Sequence, residues 1–267
     1  MNKRILFAFL LAAVLFLMCG CTKSYNTAYE KALKTFGNGD YAEAAEQFDR
    51  LGDYSSAPVY AAYCHGLVLF DQGQFTAAEP YFEFSKDLMY GRQRYAFCHA
   101  CAAAAAGEWH EAAEQFEKLG DFEPAPQWKE YCRGRAAEDS QDYETALYAY
   151  EAALGTEDAE DRLYNLRGQL YNRAIALRDS GDFAGAITLF GYLGDYLSSA
   201  DQAVELLREY RDSLYEQAEA LAESGDAAEA YAIFKSLSGY RDSAVRADEL
   251  AHKAGEAAEG DNTRPYQ

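Results

Sequence analysis

Little in this chain interrupts a helix: it has five prolines in 267 residues, and alanine is abundant. Positive charge is also short. The 24 Lys and Arg face 44 Asp and Glu, for a net charge of -20. That sign repels phosphate backbones and anionic headgroups, which excludes nucleic acid as a partner and favours basic or apolar ones. The chain has no P-loop and no Gly-x-Ser-x-Gly, and His110-Glu111 lacks a second histidine four residues on. Gly37-Asn38-Gly39-Asp40-Tyr41-Ala42 matches a dinucleotide-binding spacing, but it joins two helical segments rather than a strand and a helix, so no phosphate cradle forms. Paired glutamates such as Glu43 and Glu46 read as a solvated helix face. These absences leave no catalytic residue, no cofactor and no metal site to assign, and the chain reads as a non-enzyme.

The N-terminus carries the one long apolar run. Lys3 and Arg4 precede an unbroken stretch from Ile5 to Met18. Fourteen helical residues span about 21 Å, too short for a hydrocarbon core of roughly 30 Å, and right for the apolar part of a signal peptide. The run ends in Leu17-Met18-Cys19-Gly20-Cys21-Thr22, which resembles a bacterial lipobox with Met in place of the usual Leu. The resemblance implies cleavage after Gly20 and lipidation of Cys21. Residues 1–20 are then a lipoprotein signal peptide and 21–24 a lipid-anchored linker. The expected location is the extracytoplasmic face of a cell membrane, or the outer membrane in a cell with two. Contact with the membrane would run through the lipid alone.

Internal periodicity sets the architecture. The turn residues Gly39, Gly73, Gly107, Gln141, Gly181 and Gly225 are spaced by 34, 34, 34, 40 and 44 residues. Five residues after each stands an alanine: Ala44, Ala78, Ala112, Ala146, Ala186 and Ala230. Nine after stand Phe48, Phe82, Phe116, Tyr150, Phe190 and Phe234; two after stand Tyr41, Phe75, Trp109, Tyr143, Phe183 and Ala227. Ten before stand Tyr29, Tyr63, Phe97, Tyr131, Tyr171 and Tyr215; seven before, only the small residues Ala32, Gly66, Ala100, Gly134, Ala174 and Ala218. Apolar positions three and four apart make helices, and small residues let two of them approach closely. Such a hairpin cannot bury its own apolar face and must stack on its neighbours.

This pattern is similar to the tetratricopeptide repeat over residues 25 to about 240. It departs in the residue before the small one, where Lys31, His65, His99, Arg133, Arg173 and Gln217 replace the usual Leu. The expected fold is all-α: a right-handed α-solenoid of about six helix pairs over 25–240, a capping helix over 241–258 and a disordered tail over 259–267. The longer spacings predict extended first helices over about 159–180 and 198–224, and Pro80 predicts a bend. Ser55, Ser198 and Asp242 are placed to cap the helices that follow them.

The resemblance also implies a concave groove lined by first helices. One varying row runs Asn26, Tyr60, Arg94, Trp128, Gly168, Asp212 and another Leu33, Leu67, Cys101, Arg135, Ile175, Glu219. The candidate groove is Tyr60, Tyr63, Leu67, Trp128 and Tyr131, with Arg94, Arg133 and Arg135 as a positive island. It suits a protein or peptide bearing apolar or aromatic side chains. The leading expectation is a membrane-anchored scaffold that organises envelope proteins. Alternatives are a component of an envelope assembly or secretion machine, a passive spacer, and a thiol or metal-binding protein using Cys98, Cys101, His65 and His99. Against the last, no second Cys-x-x-Cys completes a tetrahedral site. Cys64, Cys98 and Cys132 recur at 34-residue spacing, and stacked helices ~8–10 Å apart hold such residues too far apart for disulfides.

Overall fold

A computed structural model describes the backbone of residues 24–261 and the side chains to residue 252. The expected signal peptide, Cys21 and residues 262–267 of the tail lie outside the described residues. Within them the chain is all-α, with no strand. The helices are α1 (24–37), α2 (Tyr41–Asp49), α3 (Ala57–Asp71), α4 (Phe75–Phe84), α5 (Gly91–Ala105), α6 (Trp109–Lys118), α7 (Ala125–Asp139) and α8 (Tyr143–Ala152). There follow α9 (Ala159–Ser180), α10 (Phe183–Leu193), a 3-10 turn (Tyr196–Ser198), α11 (Ser199–Ser224), α12 (Ala227–Ser236) and α13 (Ser243–Asp261). They form two compact units, one ending at Glu160 and one beginning at Asp161.

Each hairpin turn is closed by one repeated device. The residue after the turn residue donates its N–H to the carbonyl five residues back: Asp40 to Thr35, Gln74 to Leu69, Glu108 to Ala103, Asp142 to Ala137, Asp182 to Leu177 and Asp226 to Leu221. This is the Schellman closure, and it forces the turn residue into the left-handed region. Gly39 sits at φ +89° and Gly225 at +100°; Gln141 takes the same role at +61°.

The conserved spacing becomes packing. All six alanines of the alanine row are fully buried, and the aromatics four residues later are buried with them. Where the first helix offers glycine, the approach is closest: a Cβ on Gly134 would lie 2.7 Å from the Tyr150 ring, and one on Gly66 2.9 Å from Phe82. Burying each such ring is worth about 1.5–3 kcal/mol. In the first unit the rings touch one another from repeat to repeat. Phe97 meets Phe70, Phe75, Phe116, Phe122 and Trp128 at centroid distances from 5.0 to 6.1 Å.

Two expectations need correction. Ser55 and Ser198 donate and accept no capping bond at the following helix: the N-caps of α3 and α11, Ser56 and Ser198, have no side-chain cap, and Ser55 is at φ +54°. The carboxylate of Asp242 accepts from the Tyr215 hydroxyl. Ser55 at φ +54° and Ser198 at +59° lie in the left-handed region rather than the extended conformation of a capping residue. The last helix also runs to Asp261, past Ala258 and into the segment read as tail. Pro80 lies inside α4, where the sequence places it.

Candidate partner-binding surface

In the first unit the turn before α4, the end of α5, the start of α6 and the first half of α7 surround a recess of about 280 Å3. Phe75, Trp109, Trp128 and Tyr131 form its walls, Cys101, Ala104 and Ala105 its small-residue floor, and Glu157 one rim. Its size falls just below the roughly 300–1,000 Å3 of small-molecule sites, and suits one bulky side chain of a peptide better than a cofactor. The walls are held rigidly. Trp128 is only 8% exposed and packs edge-on to Phe75 at 5.5 Å. Arg135 lies 3.9 Å over the Trp109 ring and donates to the Tyr131 hydroxyl at 3.1 Å. That hydroxyl donates in turn to Asp158 at 2.6 Å. Burial first, then the Asp158 bond, pushes the Tyr131 phenol up, so it stays a donor.

The residues singled out from the sequence divide into three groups. Tyr63, Leu67, Trp128 and Tyr131 are buried, and of these Trp128 and Tyr131 reach the recess. Tyr60 is half-buried against Tyr29, Phe36 and Phe48. The arginines do not form one island, because residues two apart on a helix point in different directions. Arg133 is exposed and pairs with Glu130 at 2.8 Å, whereas Arg135 covers Trp109. Arg94 donates to the Tyr63 hydroxyl at 2.7 Å and lies 5.6 Å from that ring and 5.7 Å from Tyr90.

Phe75 and Trp109 were not among the candidates. Both belong to the aromatic row two residues after each turn, and the sign that this row was open to solvent is its alanine in the sixth repeat, Ala227. A second feature went unseen: the tyrosine row reaches forward to the next repeat. Tyr63 accepts from Arg94, Tyr131 donates to Asp158, Tyr171 accepts from Gln202 and Tyr215 donates to Asp242.

The thiol and metal alternative finds little support in the geometry. Cys64, Cys98, Cys101 and Cys132 are buried and unpaired. Loss of hydration pushes the thiols of Cys64, Cys98 and Cys132 up to about 12, and that of Cys101 higher still, so none is a thiolate at neutral pH. His65 is engaged by Asp49 at 2.9 Å and His99 by Glu79 at 2.8 Å. Among the described residues no three His, Cys, Asp or Glu side chains converge on a point where an ion would sit.

Comparison with known proteins adds one finding. A family model described as tetratricopeptide repeat matches residues 29–84, from within α1 to the end of α4. No curated protein matches the chain. That match, and the recurrence of the same small, alanine and aromatic rows through α12, show that the chain is similar to tetratricopeptide-repeat proteins.

Proposed function

We propose that the chain is a non-catalytic, lipid-anchored scaffold on the extracytoplasmic face of a bacterial membrane. It holds a partner protein by seating an apolar or aromatic side chain in the Phe75–Trp109–Trp128–Tyr131 recess. The observation that carries this reading is the recess itself: a preformed aromatic socket, assembled from three successive repeats and stiffened by Arg135. Preformed walls reduce the ordering cost of binding. With a net charge of -20, the surrounding surface favours a segment with basic residues beside its anchor. The signal-peptide pattern and the lipobox before Cys21 support the anchor.

Two measurements test the two halves. A photo-crosslinking residue at Thr76, on the rim of the recess, should capture a discrete partner in intact cells, and Trp109→Ala should abolish the adduct. An adduct that survives Trp109→Ala would remove the recess from the reading. For the anchor, Cys21→Ser should move the chain from the membrane to the soluble fraction. Retention of that variant on the membrane would reject lipidation at this residue.

A further inference from the structure

Consecutive helices of the first unit run antiparallel, so the links from each second helix to the next first helix share one edge. The chain enters the unit at the same edge: Tyr25, at the start of α1, stacks on Tyr54 of the α2–α3 link with ring centroids 5.6 Å apart. Along this edge the α2–α3 and α6–α7 links present Asp53, Ser55 and Ser56, and Asp121 and Glu123. The α8–α9 link exposes the single Leu154 at 52%, and the α4–α5 link exposes several large apolar residues. Phe84, Met89 and Tyr90 are 62%, 66% and 58% exposed, and Tyr81 lies one turn before Phe84. Met89 also occupies the left-handed position, φ +44°, that Ser55 holds in the α2–α3 link and Glu157 in the α8–α9 link. An exposed thioether chain there gains nothing from packing, and its backbone conformation disfavours it. Large apolar residues exposed together on one short link point to a contact with another surface.

We infer that this edge rests in the interfacial layer of the bilayer, with Phe84, Met89 and Tyr90 inserted among the headgroups. The inference rests on the lipid-anchor reading. Only Thr22 and Lys23 separate Cys21 from the start of α1 at residue 24, and those three steps reach at most ~10 Å. A lipid on Cys21 therefore holds this edge, rather than the opposite one, at headgroup depth. Aromatic rings with one polar end suit that layer, and Lys86 can extend its charged head to phosphates while its stem lies along the apolar link; Arg92 is held by Asp87 at 2.6 Å, which neutralises the one carboxylate between Phe84 and Tyr90. The other links are acidic, so the matching surface is one near neutral charge.

The test uses the full chain with its native lipid in phosphatidylcholine vesicles that carry bromine near the headgroup end of the acyl chains. Tyr90→Trp is compared with Ala106→Trp, at the exposed α5–α6 turn on the opposite edge, each read as a difference from the unsubstituted chain. The Tyr90→Trp signal should be quenched several-fold more strongly. A Met89→Asp, Tyr90→Asp chain should stay on the vesicles through its lipid, yet lose protection from proteolysis in residues 84–92. Equal, weak quenching of a chain whose Cys21 is shown by mass spectrometry to be acylated overturns this inference and leaves the anchor standing. An unacylated Cys21 removes the anchor, and the inference with it. Crosslinking of residue 90 to a protein in cells, without quenching in vesicles, would assign the link to a protein partner and overturn the membrane contact.

Discussion

The two units use the same hairpin and hold it together differently. In the first, first helices of fifteen residues stack at uniform spacing, and rings touch in an unbroken run that passes through Phe70, Phe75, Phe97, Phe116, Trp128, Tyr131 and Tyr150. In the second, the first helices lengthen to 22 and 26 residues, and the described rings meet in separate small groups: Tyr171 with Phe190 and Tyr196, Phe183 with Tyr210, Tyr215 with Phe234. Charged latches join its helices as well. Asp212 accepts from Tyr240 at 2.7 Å and also pairs with Arg241, while Arg246 faces Glu219 at 3.5 Å. Apolar ring contact is insensitive to pH and salt, whereas exposed ion pairs are weak and screened. The first unit is thus built as one continuous core, the second as neighbouring pairs tied by polar bonds.

The largest test of that contrast is Phe97→Ala. Removing a fully buried ring should cost about 3–5 kcal/mol and lower hydrogen-exchange protection from α3 through α8 together. Phe234→Ala should lose protection only in α11 to α13. Loss confined to α5 and α6 in the first variant would break the claim of a continuous core. A smaller effect separates the glycine rows. Gly134→Ala drives a methyl into the Tyr150 ring and should cost about 1–3 kcal/mol in urea unfolding, although the second unit already carries Ala174 and Ala218 at this position. A neutral result would mean that Tyr150 yields freely.

The latches should differ in their pH limits. Tyr131→Phe removes a hydrogen bond and should cost about 1 kcal/mol at neutral pH. Because the folded Tyr131 phenol is raised, its contribution is complete below the ordinary tyrosine value of about 10 and is lost as pH climbs through the folded value. Asp242 adds an acid limit in the second unit. The hydrogen bond from Tyr215 holds its carboxyl below the usual range, so its contribution is present above about pH 4 and fades as pH falls through the folded value. Tyr215→Phe should flatten that acid limb in unfolding measured across pH, and an unchanged limb would assign it elsewhere. The smallest effect is chemical. Cys64, Cys98 and Cys132, raised to about 12 by burial, should resist a thiol reagent at pH 8 until urea opens the first unit. Rapid labelling of the folded chain would show that its core breathes.

Much of this was legible in the sequence, because repeats print their packing as spacing. The turn at Gln141 was located without a glycine, from its neighbours Ala146 and Tyr150, and α9 spans the very residues that the long spacing foretold. What escaped were contacts that cross the repeat. The recess takes its walls from three repeats, and Arg135 can be seen to lie on Trp109 only once α6 and α7 are placed. The tyrosine latches join residues 27 or 31 apart, which no 34-residue alignment brings into one column. The serines read as caps were misassigned because their backbones are left-handed, a property that composition does not reveal.

Those latches also give the chain a direction. Tyr63, Tyr131, Tyr171 and Tyr215 are each completed by a residue that emerges later in the sequence. A repeat is therefore finished only when its successor arrives, so a chain threaded out N-terminus first consolidates one step behind its own exit. Truncation from the C-terminal side would loosen the repeat before the cut as well as deleting those beyond it.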